Sequence, residues 1–211
     1  MALATYSDLK AEIQSWSRRE DVSDKLDTFI LLAEQEMYNN RVEALIVRQQ
    51  EERATATLLD TEKYVALPPG FQEMRRLMVN DQRPNSESYE VYFRTPEQLR
   101  ETVFEGCPSY FTVTSQLEFN RPADQDYTLE MQYMAKPTPL SSANPTNSIL
   151  TDYPLIYLAG SLWALHRWAK DAESASGAYD DFISGIIGAN KATNAGRFGP
   201  TPVVRTAGRI V

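Results

Sequence analysis

The spacing of apolar residues changes twice along the chain, from a helical period to an alternating period and back. From Tyr6 to Met37, apolar residues recur every three or four positions, as on one face of a helix. Between Glu52 and Met134 they mostly alternate with polar residues, which is typical of strands. After Pro154 the helical spacing returns. This order predicts an α+β protein whose terminal helices form an α-helical bundle with an inserted antiparallel β-meander and an extended C-terminal arm.

The first two helices carry distinct start patterns. Thr5 with Asp8 three residues later resembles a capping box for the first helix, whose apolar face is expected to include Trp16. Ser23 is predicted to cap the second helix, which would continue through Val42 and Leu45. Two amphipathic helices joined by a short polar link indicate an antiparallel pair.

The alternating region predicts short strands joined by turns. Residues 54–58 and 64–67 are expected to form a hairpin across Asp60 and Thr61. Thr95, followed by Pro96 and Glu97, predicts a short helix to about Phe104. In the last strand, one face is expected to hold Tyr127, Leu129, Met131 and Tyr133.

The last two helices complete the predicted organisation. The helix after Pro154 has apolar residues almost all round, Leu155 among them, so we expect it to be buried on several sides. The final helix is predicted from about Ala172 to Ala192. The predicted segments are N-terminal helices (1–50), an antiparallel β domain (51–140), C-terminal helices (141–192) and an extended arm (193–211).

Charge is distributed unevenly towards the C-terminus. The chain has a formal net charge of -8, yet four cations and no carboxylate follow Asp181. The residues from Asn194 onward lack the periodicity to fold alone, so they form either a basic arm reaching a partner or an end without fixed structure. The sequence leaves both open. If it is an arm, its portal- or neighbour-binding residues are predicted to be Arg197, Phe198, Pro200, Val203, Val204, Arg205, Arg209 and Ile210.

Composition excludes several classes of function. The acidic balance disfavours tight wrapping of nucleic acid, because phosphates would be repelled. The apolar run at 155–168 contains Ser161, His166 and Arg167, so no membrane anchor is expected. The opening residues do not resemble a signal peptide, and a single cysteine, Cys107, is typical of a protein made in a reducing cytoplasm.

No catalytic pattern stands out, so no catalytic residue, cofactor or metal is predicted. The sequence contains no Gly-rich phosphate loop, metal-ligand spacing or nucleophile elbow. His166 and Cys107 are interpreted as structural. The acidic clusters are either solvated charge or a carboxylate pair for glycoside cleavage: Glu51 with Glu52, Asp124 with Asp126, and Asp180 with Asp181.

Strand aromatics offer a further candidate surface. They are expected to form either a strand core or protein interface, or a platform on which bases stack. Few cations lie beside them, which favours the first interpretation. These residues are Tyr89, Tyr92, Phe93, Tyr110 and Phe111.

Several motifs, in their order and spacing, resemble one family. They include Thr5-Tyr-Ser-Asp-Leu9, Arg53-Ala-Thr-Ala-Thr57, Tyr64-Val-Ala-Leu-Pro68, Phe71-Gln-Glu-Met-Arg75, Thr95-Pro-Glu-Gln-Leu99, Tyr127-Thr-Leu-Glu130, Ala143-Asn-Pro-Thr-Asn147 and Leu150-Thr-Asp152. This set is similar to the head-to-tail adaptor proteins of short-tailed phages and prophages, over about residues 5–181.

The resemblance implies a structural virion protein, made in the bacterial cytoplasm and placed in the neck between capsid and tail. Such adaptors form a ring, typically twelvefold, beneath the portal. The ring docks the tail nozzle or hub proteins and continues the channel through which double-stranded DNA passes without sequence-specific binding. Their C-terminal arm reaches along the portal. Two alternatives remain: a virion-associated peptidoglycan-cleaving enzyme, and a tail-side assembly factor that does not bind the portal.

Overall fold

The computed structural model describes residues 3–81, 87–99 and 102–198, with side chains as far as Ala195. In these residues the predicted α+β class is confirmed. The helices are α1 (Tyr6–Ser17), α2 (Leu26–Asn39), α3 (Ser148–Asp152), α4 (Pro154–Trp168) and α5 (Ala172–Phe198). The strands are β1 (Glu51–Leu58), β2 (Tyr64–Ala66), β3 (Phe71–Asp81), β4 (Tyr89–Glu90), β5 (Tyr92–Phe93), β6 (Tyr110–Val113), β7 (Gln116–Phe119) and β8 (Tyr127–Ala135).

Contacts divide the chain into two compact units. Residues up to Gln49 and from Pro137 onward form the helical unit, and Gln50–Lys136 form the β unit. In the helical unit, α4 contacts α1, α2 and α5. Burial of apolar side chains from these helices stabilises the unit by about 25 cal/mol per Å² of area removed from water. Its fully buried side chains include Leu9, Ile13, Ile30, Met37, Leu45, Tyr157 and Phe182.

Glycines allow the helices of this unit to approach closely. A Cβ atom at Gly160 of α4 would lie 2.8 Å from the Phe182 ring and 3.0 Å from the Ala33 methyl group. At Gly185 of α5, it would lie 3.1 Å from Ile156. Close packing of α2, α4 and α5 therefore depends on the absence of side chains at these two positions.

The start of α1 follows the prediction, whereas both ends of α2 differ from it. Thr5 Oγ1 accepts a hydrogen bond from Asp8 N at 3.2 Å, and Thr5 N donates to the Asp8 carboxylate at 3.0 Å. The α2 N-cap is Lys25 and makes no side-chain hydrogen bond, so the Ser23 cap was wrong.

Asn40 ends α2 earlier than predicted. Its Oδ1 accepts hydrogen bonds from Val42 N and Glu43 N at 2.7 and 3.2 Å, and these bonds turn the chain. The predicted continuation through Val42 and Leu45 was therefore wrong. Leu45 is nevertheless buried, because the segment after the turn returns along the helices and Leu45 N donates to Met37 O.

The strands form two four-stranded sheets, with orders β1-β8-β3-β4 and β2-β7-β6-β5. The predicted β1–β2 hairpin was wrong, since β1 pairs along its length with β8 and β2 pairs with β7. The intervening turn is held by distant backbone, with Thr61 N donating to Ala123 O at 2.9 Å. Strand order therefore departs from a simple meander, and β5 pairs with β6 in parallel.

The predicted faces of β8 are confirmed. Tyr127, Leu129, Met131 and Tyr133 are buried, whereas Glu130 on the other face is exposed. The central position of β8 between β1 and β3 explains why its apolar face is so regular.

The short helix predicted from Thr95 does not form in the described residues. Gln98 N and Leu99 N donate to Thr95 O in a single turn. Beyond it, Thr102 N donates to Asn120 O and Gly106 N donates to Pro122 O. These backbone donors are thus engaged by another segment and are unavailable for helical hydrogen bonds.

The last helix extends beyond its predicted end at Ala192, because α5 continues to Phe198. The sequence places no proline between Pro154 and Pro200, and Gly196 alone does not stop the helix. Residues 193–198, assigned to the extended arm from the sequence, therefore have helical backbone.

Candidate assembly surfaces

An open apolar groove lies between three helices of the helical unit. Trp16 of α1, Leu155 and Leu162 of α4, and Ala178 and Asp181 of α5 line it. Its volume is about 560 Å³. We call this surface the α1–α4–α5 groove.

Two large apolar side chains of this groove are exposed. Trp16, on the predicted apolar face of α1, is 62% exposed. The helix α4 is buried on several sides, as predicted, but its Leu155 is 67% exposed. Both lie at positions with helical spacing, but no element of the described chain covers them. Clustered exposed apolar side chains of this size are typical of surfaces that bind another protein.

One carboxylate, that of Asp181, lies among the residues that line the α1–α4–α5 groove. Asp181 is exposed, and no ion pair or hydrogen bond is found for its carboxylate in the described part of the chain. No Lys or Arg is among the described residues that line the groove. The groove therefore suits an apolar segment that carries a positive charge.

A second groove, between α2 and α4, differs in charge. Phe29, Leu32 and Trp168 line its apolar part, Lys25 and Arg167 add positive charge, and Asp24 and Glu36 add negative charge. Its volume is about 620 Å³. The Arg167 guanidinium lies 4.9 Å from the centre of the Trp163 ring, in a cation–π contact. The charged residues that line this groove are thus two cations and two carboxylates.

The β unit exposes several large apolar side chains. Four of them are exposed by more than half: Tyr92 and Phe93 of β5, and Val103 and Phe104 in the following loop. Tyr110 of β6 is partly exposed, and the Arg94 guanidinium lies 4.8 Å from its ring centre.

The predicted aromatic group is therefore split by the fold. Phe111 is buried and packs edge-on against Phe93 at 5.8 Å between ring centres, whereas Tyr89 is partly buried. Tyr92, Phe93 and Tyr110 remain on the surface. Since β5 is the edge strand of its sheet, they form an exposed edge rather than a broad face on which bases stack.

Two buried polar residues anchor the C-terminal half of α5. Asn190 Oδ1 accepts from Ile46 N at 2.9 Å, and Asn190 Nδ2 donates to Ala44 O at 2.9 Å and to Glu43 Oε1 at 2.8 Å. Thr193 Oγ1 accepts from Arg48 N at 3.4 Å. The segment after α2 is thereby fastened to α5. Sequence reasoning missed both residues, since their partners lie far away in the chain.

Most of the predicted arm residues lie outside the described residues. Arg197 and Phe198 belong to the last turn of α5. The others are Pro200, Val203, Val204, Arg205, Arg209 and Ile210.

His166 lies near one carboxylate, that of Asp171, which is itself part of a helix cap. Its Nδ1 lies 3.9 Å from Asp171 Oδ2, and Asp171 Oδ1 accepts from Ser174 N at 3.1 Å at the start of α5. The hydrogen bonds from Ser174 lower the pKa of Asp171. Asp171 therefore caps α5, and the His166–Asp171 contact joins the end of α4 to that cap.

The three acidic clusters serve local structure or face solvent. Asp124 accepts from the Tyr127 hydroxyl at 2.5 Å, and Asp126 accepts from Asp60 N at 2.8 Å. Glu52 accepts from the Tyr133 hydroxyl at 3.1 Å. The carboxylates of Asp180 and Asp181 are on an exposed part of α5.

The Cys107 thiol forms a hydrogen bond within the β unit. Its Sγ donates to the Tyr89 hydroxyl at 2.6 Å, and the residue is partly buried. Burial, reinforced by this hydrogen bond, raises the pKa of Tyr89. The pair joins β4 to the loop before β6.

Sequence reasoning also missed a buried carboxyl, Glu34 of α2. Its Oε1 accepts from Leu140 N at 2.8 Å and from the Tyr157 hydroxyl at 3.0 Å. Burial raises the pKa of Glu34, although both hydrogen bonds oppose the shift. The Glu34 carboxyl thus ties the loop after β8 to α2 and α4. It lies within the helix packing rather than in a cleft with a second carboxylate.

The described residues contain no group of three His, Cys, Asp or Glu side chains placed to hold a metal ion. None of their helices combines the length and apolar character needed to cross a bilayer. The features that remain are the apolar surfaces and the C-terminal residues.

Comparison with protein families gives a match over most of the chain. Residues 4–206 match the family model described as SU10 adaptor protein. No curated protein matches the chain. The family match includes both units and most residues beyond α5.

Proposed function

The chain belongs to the SU10 adaptor protein family, and on that premise we propose that it is a head-to-tail adaptor of a bacteriophage virion. The match over residues 4–206 carries the proposal. In this role the protein forms a ring below the portal, of twelve copies as the resemblance implies. It docks the tail and continues the DNA channel.

The surfaces of the chain support an assembly role. A ring requires two different interfaces on each copy, because each copy contacts one neighbour on each side. The α1–α4–α5 groove of the helical unit and the exposed apolar side chains of the β unit, Phe104 among them, provide separate apolar surfaces. Burial of such surfaces between subunits is the main source of association free energy.

The charge of the chain supports the passage of DNA. A net charge of -8 disfavours retention of phosphates, so the packaged genome would slide past the protein without binding to it. No specific base contact is needed for this role. The basic residues after Asp181 are then available for protein partners, either the portal or a neighbouring copy.

Deletion of the gene from the phage genome tests the proposal. We expect DNA-filled heads without tails, because the tail would lack its docking ring. Complementation with the intact gene is the control and should restore tailed, infectious particles. Tailed particles that adsorb but fail to penetrate the cell wall would instead favour a peptidoglycan-cleaving enzyme. In that case, a zymogram should give a cleared band that disappears after one Glu-to-Gln change.

A further inference from the structure

The loop between β8 and α3 folds back on itself. Residues 137–147 read PTPLSSANPTN, and we call them the strap. Asn144 Nδ2 donates a hydrogen bond to Pro139 O at 3.0 Å, and Asn147 Nδ2 donates to Thr138 O at 3.2 Å. Two asparagine side chains therefore give the strap a fixed shape, although it contains neither helix nor strand.

The strap is fastened to α2 and α4 by a buried polar network. Leu140 N and the Tyr157 hydroxyl both donate to Glu34 Oε1, at 2.8 and 3.0 Å. Asn147 Nδ2 donates in turn to the Tyr157 hydroxyl at 2.8 Å. Glu34 and Leu140 are each 7% exposed, and Tyr157 is fully buried. The strap thus contributes a donor at each end of this network.

The strap also holds the start of α1. Pro145 O accepts a hydrogen bond from Tyr6 N at 2.7 Å. Tyr6 is the first residue of α1, where a backbone N–H has no partner within the helix. Release of the strap would leave this N–H to water, so the first turn of α1 is coupled to the strap.

We propose that the strap opens locally, while the helices stay packed, and that ionisation of Glu34 promotes its release. This inference goes beyond the proposed function and does not depend on it. In the closed state, the Glu34 carboxyl is shielded from water, and an ionised carboxylate loses more free energy on burial than a neutral carboxyl does. Opening returns water to the carboxyl and therefore favours its ionised form.

The direction of the pH dependence follows from burial. Burial raises the pKa of Glu34 in the closed state, although the hydrogen bonds from Leu140 N and the Tyr157 hydroxyl oppose the shift. The free energy of opening should therefore fall as pH rises from about 4.5 towards the raised pKa, and stay constant above it.

The groups that face Glu34 keep their charge between pH 5 and pH 8. They are three tyrosines, and burial raises the pKa of each: Tyr6 of α1, Tyr38 of α2 and Tyr157 of α4. Beside Tyr6, Asp27 forms an ion pair with Lys10, and this contact lowers the pKa of Asp27. The strap itself contains no ionisable side chain. A change in this range is therefore assigned to Glu34.

Hydrogen exchange of backbone amides in the full-length protein, from pH 5 to pH 8, tests the proposal. Dividing the intrinsic rate at each pH by the measured rate gives a protection factor, which reports the opening equilibrium. The Leu45 N–H donates to Met37 O at 2.8 Å and reports opening of the helix packing. We expect about tenfold lower protection at Leu140 than at Leu45, because the strap opens alone. The protection factor at Leu140 should also fall by about threefold or more from pH 5 to pH 8.

Substitutions separate the role of Glu34 from that of the strap's own shape. Glu34→Gln keeps an oxygen acceptor and should abolish the pH dependence at Leu140. Glu36→Gln, on the same helix, is the matched control and should retain it, since Glu36 binds the Asn40 side chain instead. Asn144→Ala removes the bonds to Thr138 O and Pro139 O, so it should lower protection at every pH without removing the pH dependence.

Two results would overturn the inference. Equal protection at Leu140 and Leu45 would show that the strap opens only when the helices unfold. A protection factor at Leu140 that is constant with pH in the parent, or that changes equally in Glu34→Gln, would remove Glu34 from its control. Either result leaves the adaptor role standing, since that role is tested by assembly on the portal.

Discussion

At the scale of single residues, buried polar groups hold segments that are distant in sequence. Glu34 binds the loop at Leu140 and the hydroxyl of Tyr157, and Asn190 binds the backbone at Ile46. Each of these side chains gives buried backbone or hydroxyl groups the hydrogen-bond partner that water would otherwise provide. The free energy of unfolding should therefore be sensitive to them.

Glu34 should make stability depend on pH. Because the pKa of Glu34 is raised in the folded state above the ordinary value of 4.5, the folded protein binds the proton more tightly than the unfolded chain. The free energy of unfolding should then fall as pH rises from about 4.5 towards the raised pKa. Glu34→Gln keeps an oxygen acceptor but does not titrate. We expect the variant to gain stability relative to the parent across this range in urea unfolding at several pH values.

The comparison has a clear control. Glu34→Ala removes both acceptor bonds and should cost about 1–3 kcal/mol, because it leaves two buried donors unpaired. A difference between the parent and Glu34→Gln that stays constant from pH 4 to pH 8 would contradict a raised pKa for Glu34.

Asn190 should stabilise the attachment of the segment at Ile46. Asn190→Ala leaves Ile46 N and Ala44 O without partners, so we expect a loss of about 1–3 kcal/mol and faster amide hydrogen exchange at Ile46. Asn194→Ala, at an exposed position of the same helix, is the control and should change neither. Equal effects of the two substitutions would remove Asn190 from this role.

At the scale of elements, close helix approach depends on Gly160. Gly160→Ala places a methyl group 2.8 Å from the Phe182 ring, so overpacking should cost about 1–3 kcal/mol despite the better helix propensity of alanine. Gly177→Ala on α5 is the control, since a Cβ there meets nothing within 4 Å. The free energy of unfolding of Gly177→Ala should rise by up to about 1 kcal/mol, because alanine has the better helix propensity. Thermal unfolding of both variants checks the prediction, and equal stability of the two would contradict it.

The sequence predicts local periodicity better than pairing between distant segments. The α1 cap and the two faces of β8 were predicted because neighbouring residues determine them. The pairing of β1 with β8 was missed, since alternation shows that a strand forms but not which strand lies beside it.

The exposure of Trp16 and Leu155 could not be predicted from the sequence either. Helical spacing placed Trp16 and Leu155 on apolar faces, and both helices formed as expected. Whether another element covers such a face depends on tertiary packing. The exposure of these two side chains marks the α1–α4–α5 groove as a candidate surface for assembly.

At the scale of the whole molecule, folding and assembly should be separable. The described core lies within residues 3–198, so a chain ending at Phe198 should keep its circular dichroism spectrum and unfolding temperature. It should fail to form a layer on the portal, because the basic segment proposed to bind the portal or a neighbouring copy is gone. A full layer formed by the shortened chain would remove residues 199–211 from assembly.

The most direct test of the adaptor role is negative-stain imaging of the full-length protein mixed with the portal ring encoded in the same genome. We predict an added layer of density beneath the portal, with symmetry that matches the portal ring. Bare portal rings, with folded protein and intact rings in the mixture, would contradict the adaptor role.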